Sequence, residues 1–148
     1  MAAKSKTLAT WAALLGGPLG AHRFYLHGWR DPWGWALWVP TGIGVYGLRR
    51  ALDLGQDDQL AWALIPVLGL TVSATMLCAI LYGLTPDERW NARHNAQAPS
   101  PMPASGWANV IGIIAALMVG ATVLMSTIAF SGQRFFEYQV EEARKISQ

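Results

Sequence analysis

Four stretches of this chain carry no charge, and polar or charged segments separate them. The first covers residues 7–21. As a helix it would reach about 22 Å, against about 30 Å of membrane hydrocarbon. It would cross a bilayer only by tilting, by local thinning, or by running on through residues 22–26. Small residues recur every fourth position in two rows, Ala9, Ala13, Gly17, Ala21 and Ala12, Gly16, Gly20. Such rows let helices approach closely in lipid. Pro18 lacks a backbone donor and predicts a kink or stop.

The second apolar stretch, 33–48, contains Pro40, Gly42, Gly44 and Gly47, which membrane helices tolerate better than soluble ones. Arg49, Arg50 and Asp53 mark its polar end. Arg49 and Asp53 are spaced to pair on one helix face. Gly55 reads as a helix stop, and Asp57 or Asp58 as the cap of the next helix. Leu60 to Leu84 is a spanning helix with Pro66 as a possible bend point. Thr71, Ser73 and Thr75 can return their hydroxyls to the backbone or reach a neighbouring helix.

Thr85-Pro86-Asp87-Glu88 matches a capping box opening a surface helix through Trp90 to about Asn95. Residues 96–106 alternate Pro99, Pro101 and Pro103 with other residues, an extended linker. The last apolar stretch, 107–131, places Ala108, Gly112, Ala116 and Gly120 at steps of four. That stripe predicts a helix–helix contact within the chain or between copies. In residues 133–148, Phe136, Val140 and Ala143 recur at helical spacing, and Glu141 and Lys145 can pair. The tail is expected to continue the helix past the membrane or to lie on its surface.

The predicted fold is therefore an all-α integral membrane protein with four transmembrane helices. Residues 1–58 form a short helical hairpin. Residues 59–131 hold two long spans joined through 85–106, and 132–148 form a charged, amphipathic helical tail. Composition agrees: 53% of residues are apolar, 14% charged, and mean hydropathy is +0.26, whereas soluble domains carry about 25% charged residues. The net charge of +2 is dispersed, with no basic run to suggest nucleic acid. The single cysteine, Cys78, sits in an apolar run and reads as a packing residue. Lys4 and Lys6 before an apolar segment resemble a signal peptide, but Pro18 and Leu19 stand where small residues should precede cleavage. The segment is expected to be retained, without lipidation.

With four spans, Lys4, Lys6, Arg49, Arg50, Arg134, Arg144 and Lys145 fall on one side and Arg23, Arg30, Arg89 and Arg93 on the other. This excess predicts both termini in the cytoplasm, in a cell (inner or plasma) membrane.

Residues 4–54 resemble the TM-two domain family of two-transmembrane-helix proteins. The resemblance rests on Lys4-Ser5-Lys6, on Gly16-Gly17-x-x-Gly20-x-His22-Arg23-Phe24-Tyr25-Leu26, and on the glycine-rich Gly42 to Leu48. It implies a membrane hairpin with the His-Arg-Phe-Tyr turn at one surface and no catalytic activity. The chain departs from the family at His27, usually glycine, and at Arg49-Arg50, near which the family carries an aspartate. The family's animal members imply a cytoplasmic Arg-Phe turn, which the charge count places outside.

The best candidates for recognition are His22, Arg23, Phe24 and Tyr25. Arg23 could grip the phosphate of a lipid headgroup with Phe24 and Tyr25 at the acyl boundary. Alternatively it could satisfy carbonyls freed at the helix break, or pair with Asp31 or Asp53. Trp29, Trp33, Trp35 and Trp38 suit the membrane interface, as anchors or as stacking surfaces. Ala9, Ala13, Gly16, Gly17, Gly20, Ala108, Gly112, Ala116 and Gly120 are the candidate packing residues. His22, His27 and His94 lack metal-site spacing, and no nucleophile–base set or phosphate loop is present. No metal, cofactor or enzyme activity is expected. The favoured function is a non-enzymatic module that binds membrane lipids, other membrane proteins or copies of itself. The alternative is a small oligomeric channel or transporter subunit. Its difficulty is that the long spans lack ionisable groups.

Overall fold

The computed structural model describes residues 3–55, 57–98 and 104–147. These fold into α1 (Lys6–Gly16), a 3-10 turn (Gly17–Leu19), α2 (Ala21–His27), α3 (Pro32–Ala36), α4 (Trp38–Leu54), α5 (Gln59–Leu84), α6 (Asp87–His94) and α7 (Trp107–Ile146). No strand occurs among the described residues, so the all-α expectation holds. The three prolines of the expected linker, and the terminal residues Met1, Ala2 and Gln148, lie outside the described residues.

Helix boundaries follow local chemistry. The Ser5 hydroxyl accepts from the Leu8 amide at the start of α1, and Asp58 caps α5 by accepting from the Ala61 amide at 3.0 Å. Gly55, at φ 92°, ends α4. The expected capping box does not form. Thr85 instead ends α5, its hydroxyl donating back to the Leu81 carbonyl at 2.7 Å, while Asp87 turns to Lys6 at 2.6 Å. The Arg49–Asp53 pairing is replaced by Arg50–Asp58, a two-pronged pair with both contacts at 2.8 Å. That pair fastens the end of α4 to the start of α5. It holds the Asp58 carboxyl below its ordinary range.

Helices α1, α4 and α7 all pack on α5. The small residues set the register. Lys6 donates to the Thr85 carbonyl, and a Cβ on Gly17 would lie 2.5 Å from that of Thr75. Thus α1 descends beside the last turns of α5, about 15 Å of its length. Gly44 faces Leu68 and Gly47 faces Leu64, so α4 covers the other half. On an adjoining face of α5, and in contact with α1 as well, α7 runs antiparallel to α5. Gly83 meets Ile113, Gly120 meets Met76, Gly69 meets Thr127, and the Arg134 guanidinium lies over the Trp62 ring. Ala13, Met76, Ala79 and Ala116 form the central core, where small side chains bring backbones together. Ala9, Ala13 and Ala116 are fully buried. The stripe on α7 is thus covered from within the chain from Gly112 to Gly120, Gly112 facing Thr10, whereas Ala108 is exposed and only its carbonyl is engaged, by Trp11 Nε1 at 3.0 Å.

The first apolar stretch does not run through the bundle. After the 3-10 turn, α2 heads back, and the Ser5 amide donates to the Tyr25 hydroxyl oxygen at 2.8 Å. Lys4 Nζ also donates to the Leu26 carbonyl. Both ends of the α1–α2 hairpin therefore lie at the Thr85 end of α5. Helix α7 extends past Gln59 at the other end, so Lys4 and Ile146 sit at opposite ends of the bundle. Four through-going helices would have put both termini at one end. The break at Gly17–Leu19 makes the difference. The last apolar stretch and the tail are one helix of 40 residues, continuing past α5. In it Lys145 pairs with Glu142 at 3.1 Å, not with Glu141.

Candidate functional site

The expected recognition residues sit on α2, which is held in place at both ends. At its start, Gly20 takes φ 75° and its backbone presses against the Gly34 carbonyl, where a side chain would collide. Only glycine fits both constraints. The carbonyls freed by the break are taken up by the next helix: Thr41 donates to Pro18 at 2.7 Å and Trp38 Nε1 to Leu19 at 3.0 Å.

All four candidate residues face partners inside the protein. His22 is 2% exposed, tilted against the Tyr82 ring with centroids 5.8 Å apart. Its Nδ1 has no hydrogen-bond partner among the described residues. Arg23 grips Asp31 through Nε at 2.6 Å and Nη2 at 3.2 Å. Of the structural alternatives read from the sequence, the pairing found is the one with Asp31, and Thr41 and Trp38 serve the broken helix. The guanidinium holds the Asp31 carboxyl below its ordinary range. Phe24 stacks on Trp29 at 5.0 Å and tilts against Trp35 at 5.2 Å, and Trp35 contacts Trp38 at 5.7 Å. Tyr25 closes the hairpin by accepting from Ser5.

The tryptophans form a ladder on the outside of this hairpin. Trp35 Nε1 donates to the Trp29 carbonyl at 2.8 Å, as Trp38 Nε1 does to Leu19. Their polar handles are engaged, and Trp29 and Trp33 remain largely exposed. Such rings present apolar faces outward, which suits a membrane boundary.

Three polar clusters were not singled out in the sequence. Asn109, 4% exposed, joins three helices: its amide donates to the Gly83 carbonyl at 2.9 Å, and its Oδ1 lies 3.2 Å from Thr10 Oγ1. A lone asparagine in an uncharged stretch was the available signal. Asp87 accepts from Lys6 at 2.6 Å and from the amide and hydroxyl of Ser105 at 3.1 and 2.7 Å. These contacts draw its pKa down to about 2, the Lys6 bond first. Trp90 and Asn95 hold Lys4: Trp90 Nε1 donates to its carbonyl at 2.8 Å, and its amide donates to Asn95 Oδ1 at 2.7 Å. Residues this far apart in sequence carry no local spacing that would pair them.

Among the described residues no group of three or more His, Cys, Asp or Glu side chains is placed to hold a metal. Cys78 is a free, half-buried thiol. Comparison of the chain with protein-family models, with curated proteins and with solved structures finds no match.

Proposed function

We propose that the chain is a multi-pass protein of the cell membrane with a non-enzymatic role, engaging lipid and neighbouring membrane proteins through its outer helix faces. The observation that carries this reading is the exposure of α5 and α7. Both are long and apolar enough to cross a membrane, yet few of their residues are buried in the bundle. Leu77, Leu117, Met118, Met125 and Ile128 are each more than half exposed. A soluble protein of this size would shield such helices. Lipid leaves no driving force to do so.

In this reading α3–α4, α5 and α7 cross the bilayer, and α1–α2 is a re-entrant hairpin entering and leaving at one face. Irregular backbone at membrane depth needs protein partners. Thr41 and Trp38 supply them at Pro18 and Leu19. The termini then face opposite sides. Lys4, Lys6, Arg23, Arg30, Arg89 and Arg93 stand against Arg49, Arg50, Arg134, Arg144 and Lys145, a balance that selects no orientation. We read residues 4–54 as a hairpin of the TM-two type on the glycine and His-Arg-Phe-Tyr-Leu pattern. The small-residue rows are occupied within the chain, which weighs against an oligomeric pore built on them.

The test is labelling by a membrane-impermeant thiol reagent in sealed vesicles, on a Cys78→Ala background. Ala3→Cys and Arg89→Cys should label from one face, and Asp57→Cys and Ser147→Cys from the other. Labelling of Ala3→Cys and Ser147→Cys from the same face would overturn the three-crossing arrangement. Release of the protein by alkaline carbonate would overturn membrane insertion itself.

A further inference from the structure

We propose that the α5–α7 face at the Gln59 end binds one zwitterionic phospholipid, its phosphate on Arg134 and one acyl chain in the groove above. This rests on the membrane reading. Arg134 is the first charge after the uncharged run of α7, level with Trp62 near the start of α5, the depth of a headgroup. Its side chain is only 13% exposed. The guanidinium lies 4.8 Å over the Trp62 ring and 5.6 Å over Phe130. Nη1 donates to Glu137 at 2.5 Å, and Nε has no partner among the described residues. Aromatic faces hold a guanidinium but satisfy none of its in-plane donors; Nε itself is enclosed, so a phosphate would be met by the donors left at the outer end of the guanidinium.

Beside it opens a niche of about 340 Å³ bordered by Gln59, Trp62, Ser131, Phe135 and Tyr138. Farther along, a groove of about 450 Å³ is lined by Leu70, Ser73 and Leu77 of α5 and Leu117, Ala121 and Leu124 of α7. The two lie on one face. At about 100° per residue, positions 59, 63, 70 and 77 fall within about 40° on α5, and 117, 124, 131, 135 and 138 within about 60° on α7. Pro66 and Ile128 lie within about 20° of these stripes, between the two. Ten residues from Arg134 to Leu124 make about 15 Å, inside the roughly 20 Å from headgroup to bilayer midplane. A phosphate at Arg134 thus lets the far part of its own acyl chain enter the groove.

The charges choose the headgroup. Arg134 is paired with Glu137, whose carboxylate is 40% exposed. A neutral pair of opposite charges matches the phosphate and ammonium of an ethanolamine-type lipid and disfavours a net anionic one. The aromatic rings at the niche also suit an ammonium.

The test is native mass spectrometry of purified protein offered phosphatidylethanolamine or phosphatidylglycerol in mixed micelles. We expect one retained phosphatidylethanolamine. Arg134→Gln should weaken its retention about tenfold. Ala121→Phe fills the groove without touching the niche and should weaken it similarly, which separates a lipid from a free phosphate. Equal retention by wild type and Ala121→Phe would overturn the proposal even if Arg134→Gln misfolds. So would phosphatidylglycerol bound as tightly as phosphatidylethanolamine, or a second copy of the chain in place of a lipid. The membrane reading fails separately, by carbonate release.

Discussion

Thr41 donates its hydroxyl to the carbonyl oxygen of Pro18 across 2.7 Å, and so fixes the tip of one helical hairpin to the side of the next helix. Pro18 cannot extend α1, and its carbonyl would otherwise stand unpaired where the chain reverses. Thr41→Val keeps the shape and removes the donor. It should destabilise the folded protein by about 1 kcal/mol, read as a lower midpoint of denaturant unfolding in detergent. Thr41→Ser should restore most of the loss. If valine and serine behave alike, packing rather than the hydrogen bond holds the tip.

Arg23 and Asp31 should behave as one unit. Asp31 is nearly buried, and losing Arg23 removes the two-pronged partner of its carboxylate. Arg23→Gln and Asp31→Asn should each lower the melting temperature, and the double variant by less than the sum. That non-additivity is the signature of a direct pair. Additive losses would mean that each residue serves something else, and would return Arg23 to consideration as a recognition residue.

The sequence was informative where the physics is local. Pro18 announced the break, Gly55 the stop of α4 and the Asp57–Asp58 pair the cap of α5, which Asp58 supplies, because each acts on its own backbone. The uncharged runs gave α5 nearly to the residue and the start of α7, which continues to Ile146, well past the end of its run at 131. The direction of the chain after the break was not legible. A 15-residue apolar stretch reads alike whether it crosses or returns, and the choice is made by Ser5 meeting Tyr25 and Thr41 meeting Pro18. The Thr85–Glu88 capping pattern misled because the last turn of α5 takes both the Thr85 amide and its hydroxyl, at Leu81 and Tyr82. His22 to Tyr25 drew attention as polar and aromatic residues beside a break. Each also packs within the chain, against Tyr82, Asp31, Trp29 and Ser5.

Gly44 and Gly42 provide a paired test of the α4–α5 contact. A Cβ on Gly44 would lie 2.6 Å from the Leu68 backbone nitrogen, whereas one on Gly42 meets nothing within 4 Å. Backbone cannot swing aside as a side-chain tip can. Gly44→Ala should therefore force the helices apart and cost about 1–3 kcal/mol. Gly42→Ala should be neutral or stabilising by up to about 1 kcal/mol. Unfolding midpoints of the two variants decide it, and equal effects would mean that α4 does not pack in this register.

Asp87 ties together three segments that meet at one end of the bundle: Lys6 of α1, its own α6, and Ser105 ahead of α7. Its carboxyl titrates at about 2 when folded, against 3.8 ordinarily. The folded state thus prefers the ionised form. Its contribution is complete above the ordinary value and is lost as pH falls towards the folded one, because in that window the unfolded chain binds more protons. Asp87→Asn should lower stability by no more than about 1 kcal/mol at neutral pH, since the pair is partly exposed. The gap between wild type and variant should be flat above about pH 5 and close as the pH approaches the folded value. Asp31 and Asp58 are also depressed, but they titrate in both proteins and drop out of the difference. Melting temperatures of the two proteins in detergent across this acid range make the comparison. A gap that persists unchanged at the acid end would assign the effect to the hydrogen bonds with Ser105, which an asparagine also disturbs, and not to the ion pair with Lys6.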